Sequence, residues 1–136
     1  MMERLYKNYV IETLDSTGNV EKVRFKKEES FNFGYDIVDG IAKENPEKMA
    51  MVWCNEAGDE KYLTFKDMKE NSDRAASYFQ TLGIKKGDPV MLILKRHYEW
   101  WYCMLALHKI GAVAIPATNQ LMEKDIVYRV NAASIK

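Results

Sequence analysis

The stretch "VMLILKRHYEWWYCMLALHKIGAVAIP", residues 90–116, decides the fold. Val90–Leu94 is a short unbroken apolar run, the composition of a strand covered on both faces of a parallel sheet. The polar residues Lys95, Arg96 and His97 follow. The next stretch, His97 to Gly111, is apolar on nearly every side of a helix, so it is expected to be buried on most sides, Trp100 and Trp101 included. After Gly111 comes a second short strand, Ala112–Ile115, then Pro116 and the polar residues Ala117, Thr118, Asn119 and Gln120.

The same alternation extends outward. "MAMVWC", Met49–Cys54, has strand length and composition, "NEAGDEK" turns, and Tyr62–Thr64 returns as a short second strand. Thr64 caps a helix, with Asp67 three residues on in the capping-box pattern. Phe65, Met68, Ser72, Ala75, Phe79 and Leu82 fall on one face of that helix, and Gly83 suits the left-handed position after its end. Downstream, Met122–Ala133 reads as a helix with Ile126, Val127 and Val130 facing inward. Upstream, "FNFGYDIVDGIAKENPEK" reads as a helix capped by Asn32, with Ile37, Val38, Ile41 and Ala42 as its core stripe and Asn45-Pro46 as its stop. "NYVIETLDSTGNVEKVRF" reads as a hairpin of Tyr9–Leu14 and Val20–Phe25 around "DSTGN". Alternating strands and helices from Met49 onward predict an α/β fold with a largely parallel sheet flanked by helices. Residues 1–30 form an N-terminal extension with a β-hairpin, and residues 31–136 form the main body.

Composition narrows the function. The 136 residues are 47% hydrophobic and 29% charged, which suits a folded core rather than a disordered chain. Twenty basic residues balance twenty acidic ones, so charge gives no reason to expect nucleic acid or an anionic membrane as partner. No apolar run reaches the length of a membrane span. "MMERLYKNYVIETLD" lacks the apolar centre of a signal peptide, so the expected compartment is the cytoplasm. Cys54 and Cys103 each sit in an apolar run and are expected to be buried free thiols.

No glycine-rich phosphate cradle of fixed spacing occurs. His97 and His108 lack partners at metal-ligand spacing, and Cys103 lacks an adjacent base, so no catalytic and no metal-binding residue is assigned. In open α/β sheets, ligands bind beyond the carboxyl ends of the strands. Two polar loops leave such ends: "KRHY" after Val90–Leu94 and "PATNQL" after Ala112–Ile115.

Four segments carry a resemblance. "YLTFKDM", "LGIKKGDPVMLIL", "YEWWYCMLALHKIGAVAIPAT" and "KDIVYRVNAA" resemble, in order, the amino-terminal part of AMP-forming acyl-CoA synthetases. These belong to the adenylate-forming superfamily, with firefly luciferase and peptide-synthetase adenylation domains. "LTFKDM" resembles the first core motif. "LHKIGAVAIP" resembles the second, in which Gly111 lets helix and sheet pack closely and Pro116 ends the strand. Glu99-Trp100-Trp101, "PATNQL" and "KDIVYR" look most like the acetyl- to medium-chain branch. The resemblance runs from about Phe31 to Lys136, so that this stretch is expected to be part of the N-terminal subdomain of the acyl-CoA synthetase fold.

The resemblance implies a two-step reaction of the parent protein. A small carboxylic acid attacks the α-phosphate of ATP with Mg2+, giving acyl-AMP and pyrophosphate, and CoA then displaces AMP. The family's phosphate loop, nucleotide contacts, acyl pocket and mobile lysine have no matching positions here. The chain is therefore expected to be inactive alone, to bind no cofactor tightly, and to have the remainder of the synthetase as its partner. The family likeness places "PATNQL" near the CoA tunnel, with Thr118, Asn119 and Gln120 as candidate lining residues. A stop where a further strand is due suggests a fragment that pairs with a second copy as a homodimer. The alternatives are a flavodoxin-like nucleotide carrier and an α/β protein-interaction module. The carrier wants a phosphate-binding turn after its first parallel strand, where the acidic "NEAGDEK" stands, and the interaction module does not explain four motifs in order.

Overall fold

The computed structural model describes residues 5–26 and 29–136; the parts of the N-terminal extension at residues 1–4 and 27–28 lie outside the described residues. After a 3-10 turn, Leu5–Asn8, strands β1 (Val10–Leu14) and β2 (Val20–Phe25) form the expected antiparallel hairpin. Its turn is shaped by Asp15, whose carboxylate accepts from the backbone N–H of Thr17 and Asn19 at 2.8 and 2.9 Å. A tilted ring contact at 4.9 Å, Tyr9 on Phe31, joins the hairpin to the body.

Asn32 caps the next segment, its side chain accepting from the N–H of Gly34 and Tyr35. The helix expected here begins as a π-helix, Phe33–Asp39, and continues as α1, Gly40–Glu44. Strands β3 (Met49–Cys54) and β4 (Glu60–Thr64) pair antiparallel. Asn55 and Asp59 clasp their turn, the Asn55 side chain bonding both the backbone and the carboxylate of Asp59. The capping box at Thr64 and Asp67 is present and opens α2, Phe65–Thr81. Strand β5 (Pro89–Leu92), helix α3 (Glu99–Ile110) and strand β6 (Val113–Pro116) make a strand–helix–strand unit whose two strands pair in parallel, Pro89 opposite Val113 and Leu92 opposite Pro116. Helix α4, Glu123–Ala133, closes the order.

The expected α/β alternation is therefore present, but the parallel part is a single pair. Among the described residues the strands form three two-stranded sheets, and β4 returns on β3 as expected. The five-residue turn Asn55–Asp59 is long enough for a hairpin and far too short for a parallel crossover. The backbone N–H of Lys136 donates to the Pro89 carbonyl at 3.2 Å, on β5.

Helix α3 is the hub. Tyr102 and Leu105 join Val38, Leu63 and Met68 in one apolar cluster. Leu107 joins Val90, Leu92 and Ala112 in a second. Gly111 ends α3 with φ +73, a conformation that suits glycine, and a Cβ there would stand 3.0 Å from the Lys86 side chain. The left-handed conformation is what lets α3 turn directly into β6.

Lys109, also on α3, is fully buried and was not singled out by its sequence context. Its Nζ donates to Asp39 Oδ1 at 2.8 Å and Asp73 Oδ1 at 2.6 Å, tying α3 to the π-helix and to α2.

Some burial expectations are corrected. Trp101 is half exposed, while Trp100 packs against the second cluster. Leu82 and Val127 are exposed, and Ala76 rather than Ala75 is the buried alanine of α2. Cys54 is exposed rather than buried, because it sits at the strand end beside the open hairpin turn. Among the described residues no helix is long and apolar enough to cross a membrane.

Candidate functional site

The parallel register puts the carboxyl ends of β5 and β6 at the same level. The Ala117 N–H donates to the Leu92 carbonyl at 3.0 Å, carrying the ladder one step past the strand end. From there the two polar loops diverge, as two loops do at the mouth of an α/β ligand site. They meet a third wall, the β3–β4 turn. Together these bound an open cleft of about 740 Å3, with Lys95, Arg96 and His97 from the first loop, Asn119 from the second and Trp53–Ala57 from the turn.

Of the three residues expected to line a ligand tunnel, only Asn119 lines this cleft; Thr118, Asn119 and Gln120 are all exposed. Thr118 has a local task, since its hydroxyl accepts from the Gln120 N–H at 3.2 Å. The last turn before α4 is closed by Asp125, which accepts from the Met122 N–H at 3.1 Å. The hairpin wall is the part that sequence reasoning missed. Its signal was available, because Asn55 also follows the carboxyl end of a strand.

Charge in the cleft is lopsided. Lys95, Arg96 and His97 face it, with Glu56 the acidic residue on its wall. Among the described residues none of the Lys95, Arg96 and His97 side chains makes an ion pair or hydrogen bond. Unpaired Arg and Lys donors beside an amide are the chemistry that binds a phosphate or carboxylate.

Behind the loop the groups are held neutral. Burial, with smaller contributions from Tyr98, Asp67 and Glu99, pushes the Tyr102 hydroxyl up to about 12. Burial, then Glu99, raises the Cys103 thiol, so it stays protonated and is a packing residue rather than a nucleophile. His97 lies in the loop before α3 and His108 in its last turn, so the helix separates them. No cluster of three or more potential metal ligands forms among the described residues.

The family model of AMP-binding enzymes matches residues 38–136. A mitochondrial acyl-coenzyme A synthetase, ACSM5 of Rattus norvegicus, is 37% identical over 79% of this chain and 20% of its own length. The mitochondrial acyl-coenzyme A synthetase ACSM3 of Mus musculus is 34% identical over 99% of the chain and 25% of its length. Among solved structures, a Mycobacterium tuberculosis fatty acyl CoA synthetase superposes with a TM-score of 0.70 at 26% identity, over 77% of this chain and 20% of that one. The N-terminal subdomain of Klebsiella oxytoca NpsA superposes with a TM-score of 0.66 at 31% identity, over 74% and 25%. The chain spans about a fifth to a quarter of the length of these relatives.

Proposed function

The chain belongs to the AMP-binding enzyme family, and on that premise we propose that it supplies an amino-terminal part of an acyl-CoA synthetase. The parent activates a small carboxylic acid with ATP and Mg2+ to acyl-AMP and passes the acyl group to CoA. The observation that carries this reading is the convergence of three strand-end loops on one basic cleft within the family-matched segment. Phosphoryl transfer needs positive groups and a metal ion around the α-phosphate, and this segment assembles no such cluster. Its own part is to build one wall of the site. Asn119 faces the approach of CoA, Arg96 and Lys95 supply cationic donors toward its phosphates, and Thr118 and Gln120 shape the loop.

The 136-residue chain alone forms no acyl-adenylate. Pyrophosphate release from ATP with acids from acetate to octanoate should match a no-protein control, and clear acid-dependent release would overturn the reading of this segment as one wall. Replacing the matching segment of the rat ACSM5 enzyme by residues 38–136 should retain acid-dependent pyrophosphate release. In that chimaera Asn119→Ala should raise the KM for CoA and leave the adenylation step unchanged. The compartment is likewise a proposal: the cytoplasm stands as the expectation, while the relatives' names carry mitochondria.

A further inference from the structure

The loop that supplies Lys95, Arg96 and His97 has a backbone problem. Lys95 has φ +46, in the left-handed region. A side chain there is strained, and the conformation persists only where the surroundings fix it. The loop's own backbone bonds are few: His97 N–H to the Leu94 carbonyl at 3.1 Å and Trp100 N–H to the His97 carbonyl at 3.2 Å. Neither holds the Arg96 peptide.

Trp53 holds it. The Trp53 indole N–H donates to the Arg96 carbonyl oxygen at 2.7 Å, the one hydrogen bond described for that carbonyl. The donor is itself braced. The Trp53 ring packs edge-on against Tyr98 with centroids 5.4 Å apart. Tyr98 packs edge-on against Tyr102, a core residue, at 5.9 Å, and Lys61 Nζ from β4 lies 4.0 Å from the Tyr98 ring centroid. A chain of aromatic contacts thus runs from the α3 core to one hydrogen bond on the loop.

We infer that Trp53 is a positioning residue: by holding the Arg96 carbonyl it keeps Lys95 left-handed and presents the Arg96 and His97 side chains to the cleft. The inference deepens the proposed function, since it names what sets the basic wall of the same cleft. Trp53 touches no reacting atom in this account. It acts through the backbone of its neighbour, and its distance from that neighbour in sequence means the β3–β4 hairpin and the loop after β5 are coupled.

The test is amide hydrogen exchange by nuclear magnetic resonance on the 136-residue chain, comparing wild type with Trp53→Phe. Phenylalanine keeps an aromatic ring beside Tyr98 and removes the N–H donor together with part of the ring, and the core amides control for the lost packing. Losing one hydrogen bond of ordinary net strength should speed exchange of the His97 amide about fivefold. The Lys95 chemical shifts should also leave the left-handed range, while the amides of Leu105 and Leu107 keep their protection. An unchanged His97 rate would overturn the inference. So would an equal acceleration at Leu107, because Trp53 would then be a general packing residue. A second measurement needs no substitution. The indole N–H of Trp53 should exchange more slowly than that of Trp101, which is half exposed and has no described hydrogen bond, and the reverse order would also overturn the inference. None of these readouts depends on an activity, so their failure is separate from failure of the proposed function.

Discussion

Replacing Lys109 by methionine isolates the contact that fixes α3 against its neighbours. The Lys109 side chain is 0% exposed, its partner Asp39 is 14% exposed and Asp73 is 40% exposed. Methionine fills most of the lysine stem, so the cavity term is small and the loss is electrostatic. Removing one member of a buried ion pair costs about 3–5 kcal/mol, chiefly because the charge left behind is stranded. Here the stranded charge is Asp39. Asp73 retains Lys69 at 2.6 Å and reaches water, so the lower end, about 3 kcal/mol, is expected. With a urea m-value of about 2 kcal/mol/M, the midpoint should fall by about 1.5 M. Adding Asp39→Asn should recover part of that loss, because it removes the stranded charge. The pH dependence has a definite sign. Burial raises the Asp73 carboxyl, but hydrogen bonds from Lys109 and Lys69 outweigh it and leave it below its ordinary value of 3.8. A carboxylate depressed in the folded state contributes fully above its ordinary value and loses that contribution as pH falls through the folded one. Wild-type stability should therefore fall as the pH drops below 3.8, and Lys109→Met should fall less over the same window. A loss under about 1 kcal/mol at neutral pH, the range of a surface change, would refute the account of Lys109 as a buried tie.

Three further outcomes can be checked on the same chain. Gly34→Ala places a Cβ 2.8 Å from Lys109 Cγ and 3.4 Å from the Leu105 carbonyl, so thermal melting should show a destabilisation of about 1–3 kcal/mol, the cost of overpacking. Thr64→Ala removes the cap of α2 and should cost about 1 kcal/mol in urea melts; because hydrogen bonds from the Thr64 backbone and hydroxyl hold Asp67 below its ordinary value, the difference from wild type should shrink in acid. The exposed apolar side chains Phe25, Met49, Val52 and Trp101, with no net charge to keep copies apart, lead us to expect self-association as a dimer. Sedimentation equilibrium showing only the 15.8 kDa species over a tenfold concentration range would rule the dimer out.

How much of this was legible in the sequence depends on how local the cause is. The capping box at Thr64 and Asp67, the Asn32 cap and the left-handed residue Gly83 were readable because each is settled within a few residues. The strand–helix–strand unit was readable because an apolar run, a glycine and a second apolar run fix it. The exposure of Trp101 was not, since a helix that is apolar all round does not say which side its neighbours leave open. Nor was the partnership of Lys109 with Asp39 and Asp73, which are 70 and 36 residues away in the chain. A lysine near a helix end reads as a favourable charge at the dipole's negative pole and gives no hint of burial.

The candidate site follows the same division. The two loops beyond the strand ends were named from topology, and the structure does bring Arg96, His97 and Asn119 to one cleft. The third wall was not anticipated: the return of β4 on β3 was expected from the turn after Cys54, but nothing local placed that turn beside the loop after β5. That return is what carries Trp53 across to the Arg96 carbonyl. The hairpin thus gives the cleft an indole donor at the point where its backbone is strained. Lys95→Gly should test that directly. Glycine tolerates φ +46, so relief of the strain should stabilise the chain by about 0.5–1 kcal/mol. A destabilisation in urea melts would mean that the Lys95 side chain, not the Trp53 latch, holds the loop.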